Sequence, residues 1–387
     1  MLLTKQGYCV KLNLRRLGMV KKINSRLENG VHNYEKVFNL IIEKTAISRT
    51  EICNLTGLSP SSVTNITNKL ILNKLVKESE LIMSEGVGRK AVLLRLNPFG
   101  GFFCILTFID GSIRLDFYDL ERKLQDTNIL PKQSDVITAE FLIEKIEEEV
   151  QYNYKYGRFF GVVMVVPTKM LGCDRQTLLS EFGYAIDENC IAGLKHFYKN
   201  TEIFMESVCA MNAYSMTMRD SKKCVLNIEM DKSLSLSLLS GNTFFTPNHF
   251  SCGIENSIVN DNGEMLKDYL TSKSICVKYE QLTSCKKSIK EILSLYDKGD
   301  EIAKKLIDKS IAVGVKTFNQ LAETLNVDYL LIGGGLVVNG KQFATNLIKE
   351  LKNKLFNPKI KLILADDYEN ASSGAVKYAF ENSCIVK

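Results

Sequence analysis

The stretch from Ser48 to Leu70 constrains this chain more than any other part of it. Ser48-Arg49-Thr50-Glu51 has the S-x-x-E form of a capping box: the serine oxygen accepts from an unpaired helix amide, and Glu51 reaches back to the Ser48 amide. A short helix is therefore predicted from Arg49 to Thr56. Gly57 falls where a helix C-terminus needs a left-handed residue, and Ser59-Pro60 then supplies an N-cap and a proline at the first position of another helix. Two short helices thus meet at a tight glycine turn. Upstream, Val37, Leu40, Ile41 and Ile42, with Phe38 beside them, form the apolar stripe of a first helix over Asn33–Lys44, ended by Ala46 and Ile47.

In the third helix Val63, Ile66 and Leu70 share one face at spacings of three and four. The opposite face presents Ser61, Thr64, Asn65, Asn68 and Lys69, almost all of them hydrogen-bonding side chains. Such a surface suits the major groove of DNA, where Asn pairs with adenine edges and small hydroxyls approach bases or backbone. Leu75–Met83 and Ala91–Leu96 read as two strands joined by Ser84-Glu85-Gly86-Val87-Gly88-Arg89-Lys90, a wing with basic residues at its base. The candidate DNA contacts are Ser48, Arg49, Ser59, Ser61, Ser62, Thr64, Asn65, Asn68, Lys69, Arg89 and Lys90.

Charge supports the same assignment. The net charge of +6 is unevenly spread: residues 1–96 carry +9 and contain no Asp, which leaves −3 for the rest. A basic segment of this kind attracts polyanions through counterion release, with nucleic acid the usual partner. No run of eighteen apolar residues occurs and the N-terminus lacks the pattern of a signal peptide, so a cytoplasmic location without membrane partners is expected. The eleven cysteines are scattered with no C-x-x-C pair, which argues against a disulfide framework.

The order I-S-R-T-E-I-C-N-L-T-G-L-S-P-S-S-V-T-N-I-T-N-K-L, then G-V-G-R-K-A-V-L-L-R-L-N-P, closely resembles the DNA-binding domain of repressors in the ROK family (repressors, open reading frames, kinases). The resemblance implies a basic leader at 1–32, a winged helix-turn-helix at 33–97, and over 98–387 a two-lobed sensor and dimerisation domain with the duplicated actin-like ATPase fold of sugar kinases. The residues after 98 fit an α/β fold on their own. Phe103–Phe108 and Ile113–Tyr118 read as a hairpin turning at Asp110-Gly111; Gly161–Val166 and Asp328–Ile332 read as buried strands; Ala139–Tyr152 and Glu301–Leu325 read as helices.

Within that half, Tyr329–Gly340 resembles the family segment beside the adenosine of ATP, and its triplet Gly333-Gly334-Gly335 follows a strand. A glycine triplet alone also serves any close backbone turn. The other kinase motifs depart from the family pattern. Where kinases have D-x-G-x-T the chain has Thr107-Phe108-Ile109-Asp110-Gly111; where they have the sugar-binding Asn and the general-base Asp it has Ser207 and Val208. The second phosphate loop falls within Leu226–Ser237, which has no glycine, and the sugar-binding Glu falls at Thr246. The family's zinc thiolates fall at Ile258, Asn260 and Met265, with only His249 in register.

The sequence therefore predicts a DNA-binding transcriptional regulator, a repressor by resemblance, acting as a homodimer or homotetramer. No catalytic residue, metal or cofactor is expected. A small sugar-like effector is implied, with Ser207, Thr246, His249 and Gly333–Gly335 as candidate contacts. With the metal absent, Ile254, Ile258, Val259 and Leu266 would hold the zinc-loop segment by packing. The alternative is an active ATP-dependent sugar kinase with a DNA-binding head, which would need the acidic base and the glycine-rich phosphate loop.

Overall fold

The computed structural model describes residues 25–80, 92–109, 112–131, 134–199, 201–216, 223–241, 243–245, 254–355, 357–365 and 367–382. The chain forms two compact units, one ending at Arg95 and one spanning Leu96–Ile385. Among the described residues no helix is long and apolar enough to cross a membrane.

The first unit runs α1 (Ser25–Lys44), β1 (Ile47–Ser48), α2 (Arg49–Thr56), α3 (Pro60–Leu72), β2 (Val76–Glu80) and β3 (Val92–Leu96). Its α1 is already helical at Ser25, ahead of the Asn33 start read from the apolar stripe; Arg26, Leu27 and Glu28 are good helix formers, and propensity carries no apolar stripe to read. A second difference is at Ile47. It begins a two-residue strand that pairs antiparallel with β3, Ile47 opposite Leu94 and Ser48 opposite Leu93. A strand this short has no periodicity to read. The core is made by Val37, Phe38 and Ile41 of α1, Ile52 of α2, Val63 and Leu70 of α3, and Ile47 and Leu94, all buried.

The second unit opens with β4 (Gly101–Ile109), β5 (Ser112–Asp119) and β6 (Leu124–Pro131), followed by β7 (Val136–Ile137), α4 (Ala139–Asn153), β8 (Arg158–Val166), α5 (Arg175–Phe182), β9 (Ala185–Ile186), α6 (Cys190–Phe197) and β10 (Glu202–Ser207). After α7 (Val208–Met216) a second series begins: β11 (Cys224–Met230), β12 (Leu234–Ser240), β13 (Thr243–Phe244), α8 (Lys267–Leu270), α9 (Ser272–Thr283) and α10 (Ile289–Asp297). It continues through α11 (Glu301–Thr324), β14 (Tyr329–Gly333), α12 (Gly335–Asn339), α13 (Lys341–Lys354) and β15 (Lys361–Leu364) to α14 (Asp367–Asn382).

Two five-stranded sheets result, ordered β10-β8-β4-β5-β6 and β13-β12-β11-β14-β15. In the first, β5 and β6 extend antiparallel from β4, while β8 and β10 run parallel on its other side. In the second, β12 and β13 stand to β11 as β5 and β6 do to β4, and β14 and β15 take the parallel places. The same plan twice over is the duplicated actin-like architecture expected from the sequence. The parallel strands β8 and β14 are buried along nearly all of their length and read as continuous apolar runs, unlike the edge strand β6 with exposed Ile129.

The lobes share the helix pair α7 and α14. Gly374 of α14 lies against the Met211 carbonyl of α7 so closely that any Cβ there would overlap it. Beside it, Ser372 is fully buried and its hydroxyl reaches Asp116 Oδ2 of β5 at 2.9 Å and Thr107 Oγ1 of β4 at 3.2 Å. On the other side, Asn227 Nδ2 of β11 donates to the Cys209 carbonyl of α7 at 3.0 Å. Gly374→Ala should therefore separate the two helices and lower the stability of the second unit by roughly 1–3 kcal/mol, the usual cost of overpacking, read as a lower midpoint in urea denaturation. An unchanged midpoint would show that the helices accommodate a methyl group without loss.

Candidate nucleic-acid interface and inter-lobe cleft

The first unit sets α3 by local chemistry at both of its approaches. The Ser48 side chain accepts from the Glu51 amide at 3.2 Å, giving the first bond of the predicted capping box without the reciprocal one. Gly57 takes the left-handed conformation at φ 73° and its amide closes α2 on the Cys53 carbonyl. Ser59 then caps α3, accepting from the Ser62 amide at 3.2 Å, with Pro60 in the first turn. The hydroxyls of Ser61 and Ser62 both lie within 3.0 Å of Ser59 Oγ, so Ser62 belongs to the cap.

On α3, Val63, Thr67 and Leu70 face the core and Ile66 is half-buried. Ser61, Thr64, Asn65, Asn68 and Lys69 are all exposed. The candidate face is thus a continuous polar surface on a helix whose other side is anchored. Arg89 and Lys90 lie outside the described residues. Arg49 points to α3: its Nε donates to Thr67 Oγ1 at 3.0 Å, and its Nη2 lies 3.4 Å from Asn68 Oδ1 and 2.8 Å from Glu78 Oε1. Sequence reading missed Thr67 and Glu78 as its partners, because eighteen or more residues separate them from Arg49 and no local pattern links them.

In the second unit a cleft lies between the lobes. Phe108, Pro167, Thr168, Phe182 and Val208 form one wall; Glu229, Asp231, Lys232, Ser233, Ser235 and Gly334 form the other. Glu229 is nearly buried and accepts from Asn212 Nδ2 at 2.7 Å and Asn227 Nδ2 at 3.1 Å, while Lys232 lies 5.7 Å from the Phe182 ring centre. The wall is rich in carboxylates and hydroxyls, which fits a ligand that hydrogen-bonds. Its cavity volume is only about 50 Å³, room for a few waters, so a larger ligand requires the lobes to part.

Of the candidate ligand contacts, Ser207 is buried and its oxygen accepts from the Ala210 amide at 3.0 Å, starting α7. Next to it Glu206 is also buried; burial pushes its carboxyl up to about 7, against the opposing effect of a hydrogen bond from Tyr378. Thr246 and His249 lie outside the described residues. In the glycine triplet, Gly333 ends β14 in the sheet interior, and only Gly334 lines the cleft. Gly334 has φ 94°, and a Cβ there would overlap the Met230 backbone; a Cβ on Gly335 would stand 2.5 Å from Asp231 Oδ1. The glycines at 334 and 335 thus admit the turn that follows β11.

Among known proteins, no family model matches the chain. It is 18% identical over 337 residues to the xylose repressor of Staphylococcus xylosus, covering 83% of this chain and 86% of that one. The structure of a ROK family transcriptional regulator, described as a homolog of the Escherichia coli Mlc protein, superposes with a TM-score of 0.71 at 18% identity, over 90% of this chain and 94% of that one. The chain is thus similar to ROK regulators over most of its length, and it shares their fold. A ROK hexokinase from Thermus thermophilus shares the fold of the second unit, with a TM-score of 0.59 at 12% identity over 73% of this chain and all of that one.

The segment that the sequence resemblance matches to the family's zinc loop is built differently from the packing expected of it. Ile254 and Leu266 are buried and Val259 packs against the core, but Ile258 is exposed. A bridge pairs Ile258 with Met265, the Leu266 amide bonds the Ser257 carbonyl at 2.8 Å, and Asn260 Oδ1 accepts from the amides of Asn262 and Glu264. Polar bonding therefore does what Ile258 was expected to do. Among the described residues no group of three or more His, Cys, Asp or Glu is placed to hold a metal ion.

Glu264 closes this hairpin. It accepts from the Tyr269 hydroxyl, and Lys278 and Lys309 both stand over the Tyr269 ring, 4.0 and 4.9 Å from its centre. The Tyr269 hydrogen bond, then that of Asn260, and then the two lysines hold the Glu264 carboxyl below the usual glutamate range. A depressed carboxylate pKa contributes stability that is complete above the unfolded value near 4.3 and is lost as pH falls through the folded value. The melting temperature should drop on acidification below about pH 4.3, and Glu264→Gln should flatten that drop while lowering the melting temperature at pH 7. Parallel pH profiles for the two proteins would show that Glu264 has no such role.

Proposed function

We propose that the chain is a DNA-binding transcriptional repressor that reads duplex DNA with α3 and the segment joining β2 to β3, and that a small sugar-like effector acting on the second unit controls it. The observation that carries this reading is the exposed polar face of Ser61, Thr64, Asn65, Asn68 and Lys69 on a helix anchored by Val63, Thr67 and Leu70. A basic first quarter supplies the attraction to phosphates. The likeness to a xylose repressor over most of both chains supports repression and a sugar effector. A homo-oligomer, dimer or tetramer, would place two reading helices on a two-fold related site.

Duplexes enriched from a random-sequence pool test the interface. Replacing Asn65 and Asn68 together by Ala should cost roughly ten- to a hundredfold in affinity for the enriched duplex and little for unrelated DNA, as expected for lost base contacts. Arg89→Ala should weaken both alike. Full selectivity in the double variant would remove α3 as the reading face.

The second unit is proposed to transfer no phosphate. Val208, which by the sequence resemblance stands at the general-base position, lines the cleft and cannot accept a proton. Within Leu226–Ser237, where the resemblance would set a glycine-rich phosphate loop, the turn after β11 consists of Asp231, Lys232 and Ser233 and lies against Gly334 and Gly335. A phosphate arriving there would meet the Asp231 carboxylate. An ADP-release assay over a panel of pentoses and hexoses should give no turnover above background. Rates near the ~1 s⁻¹ lower range of working kinases would establish the kinase instead. Thermal-shift measurements over the same panel identify an effector, since a ligand of the native state raises the melting temperature.

A further inference from the structure

We infer that Arg49 is a positioning residue for the reading helix, fixing Asn68 so that it offers a hydrogen-bond donor, and not an acceptor, to a base edge. The inference rests on the DNA-binding reading and deepens it. Arg49 opens α2, and its guanidinium can only donate. Its Nε donates to Thr67 Oγ1 at 3.0 Å; Thr67 is fully buried and its hydroxyl donates to the Thr64 carbonyl at 3.1 Å, so its oxygen is left to accept. Nη2, beside Nε in the same planar fork, meets Asn68 Oδ1 at 3.4 Å and the Glu78 carboxylate at 2.8 Å.

Two consequences follow. Because arginine has no acceptor, the Asn68 atom that faces it is the amide oxygen, and Nδ2 is turned away from Arg49 on the exposed side of α3. An unengaged asparagine pairs with adenine by donating and accepting at once. Asn68, with its oxygen committed, suits an acceptor: N7 or O6 of guanine, N7 of adenine, or O4 of thymine. The second consequence concerns Arg49 itself. Glu78 on β2 neutralises the guanidinium and joins α2, α3 and the first strand of the wing through one side chain. A phosphate would have to displace that carboxylate to reach it.

The test uses the full chain, the duplex that the wild type enriches from a random pool, and an unrelated duplex, titrated at several salt concentrations. Arg49→Ala and Asn68→Ala should both lose discrimination at the same base pair, roughly three- to tenfold, as for one hydrogen bond. The slope of log affinity against log salt should stay as in the wild type. Arg49→Lys should behave as Arg49→Ala, because an ammonium cannot hold Thr67 and Asn68 in one planar fork. Glu78→Gln should lose part of the discrimination and gain no affinity.

A phosphate-contacting Arg49 gives the opposite pattern: Arg49→Ala weakens both duplexes alike and reduces the salt slope by about one, Arg49→Lys retains most of the affinity, and Glu78→Gln, by releasing the guanidinium, raises it. Any of these overturns the inference, as do effects of Arg49→Ala and Asn68→Ala on different base pairs. If the wild type enriches no duplex, the DNA-binding reading falls and this inference with it. If the wild type enriches a duplex and Arg49→Ala reads it unchanged, only this inference falls. Should Arg49→Ala melt before it can be assayed, Glu78→Gln and Arg49→Lys decide between the two patterns.

Discussion

The second unit depends on the close crossing of α7 and α14 at Gly374. A helix pair that touches backbone to backbone has no side-chain layer to absorb movement, so whatever is bonded to either helix is held to the other. Ser372 ties α14 to Thr107 and Asp116 of the first sheet, and Cys209 and Asn212 tie α7 to Asn227 and Glu229 of the second. Both sheets are therefore anchored on one shared pair. The cleft lies beside the start of α7, at Val208, with Glu229 on its opposite wall held by Asn212 of the same helix. Any change in the angle between the lobes has to be taken up at this pair, which couples the small cleft to the arrangement of the whole unit.

In the first unit the corresponding constraint is smaller in scale and mostly polar. The apolar core fixes only which side of α3 is inward. Its start is set by Ser59 and Pro60, its approach by Gly57, and its lateral position by Arg49, which reaches Thr67, Asn68 and Glu78 at once. Hydrogen bonds are directional where apolar packing is not, so this network sets where the exposed side chains point as well as which ones are exposed. That orientation is what a base-reading surface requires.

Two loops of the second unit are closed by contacts within the chain. The glycines after β14 leave space that Met230 and Asp231 fill, and the hairpin from Ser257 to Leu266 is closed by Asn260, Glu264 and Tyr269. In both places the chain's own groups meet one another closely. Met230, Ile254 and Leu266 of these segments also join the core built by the sheets and helices.

The sequence alone determined what depends on neighbours along the chain. The cap at Ser48, the left-handed Gly57, the start of α3 at Ser59-Pro60 and its exposed face were legible because each follows from spacings of a few residues. The buried parallel strands were legible as apolar runs, and the repeated α/β plan followed from their order and the family resemblance. Pairings between distant residues were decided only by the tertiary structure. Thr67 looks like one more polar residue until Arg49 is found upon it, Ile258 looks like core until its hairpin turns it outward, and the glycine triplet fits either a nucleotide segment or a close turn until Met230 and Asp231 are found against Gly334 and Gly335. The physical reason is the same in each case: periodicity reports which face of an element is buried, whereas the partner that a polar group or a glycine meets there is set by packing between elements far apart in the chain.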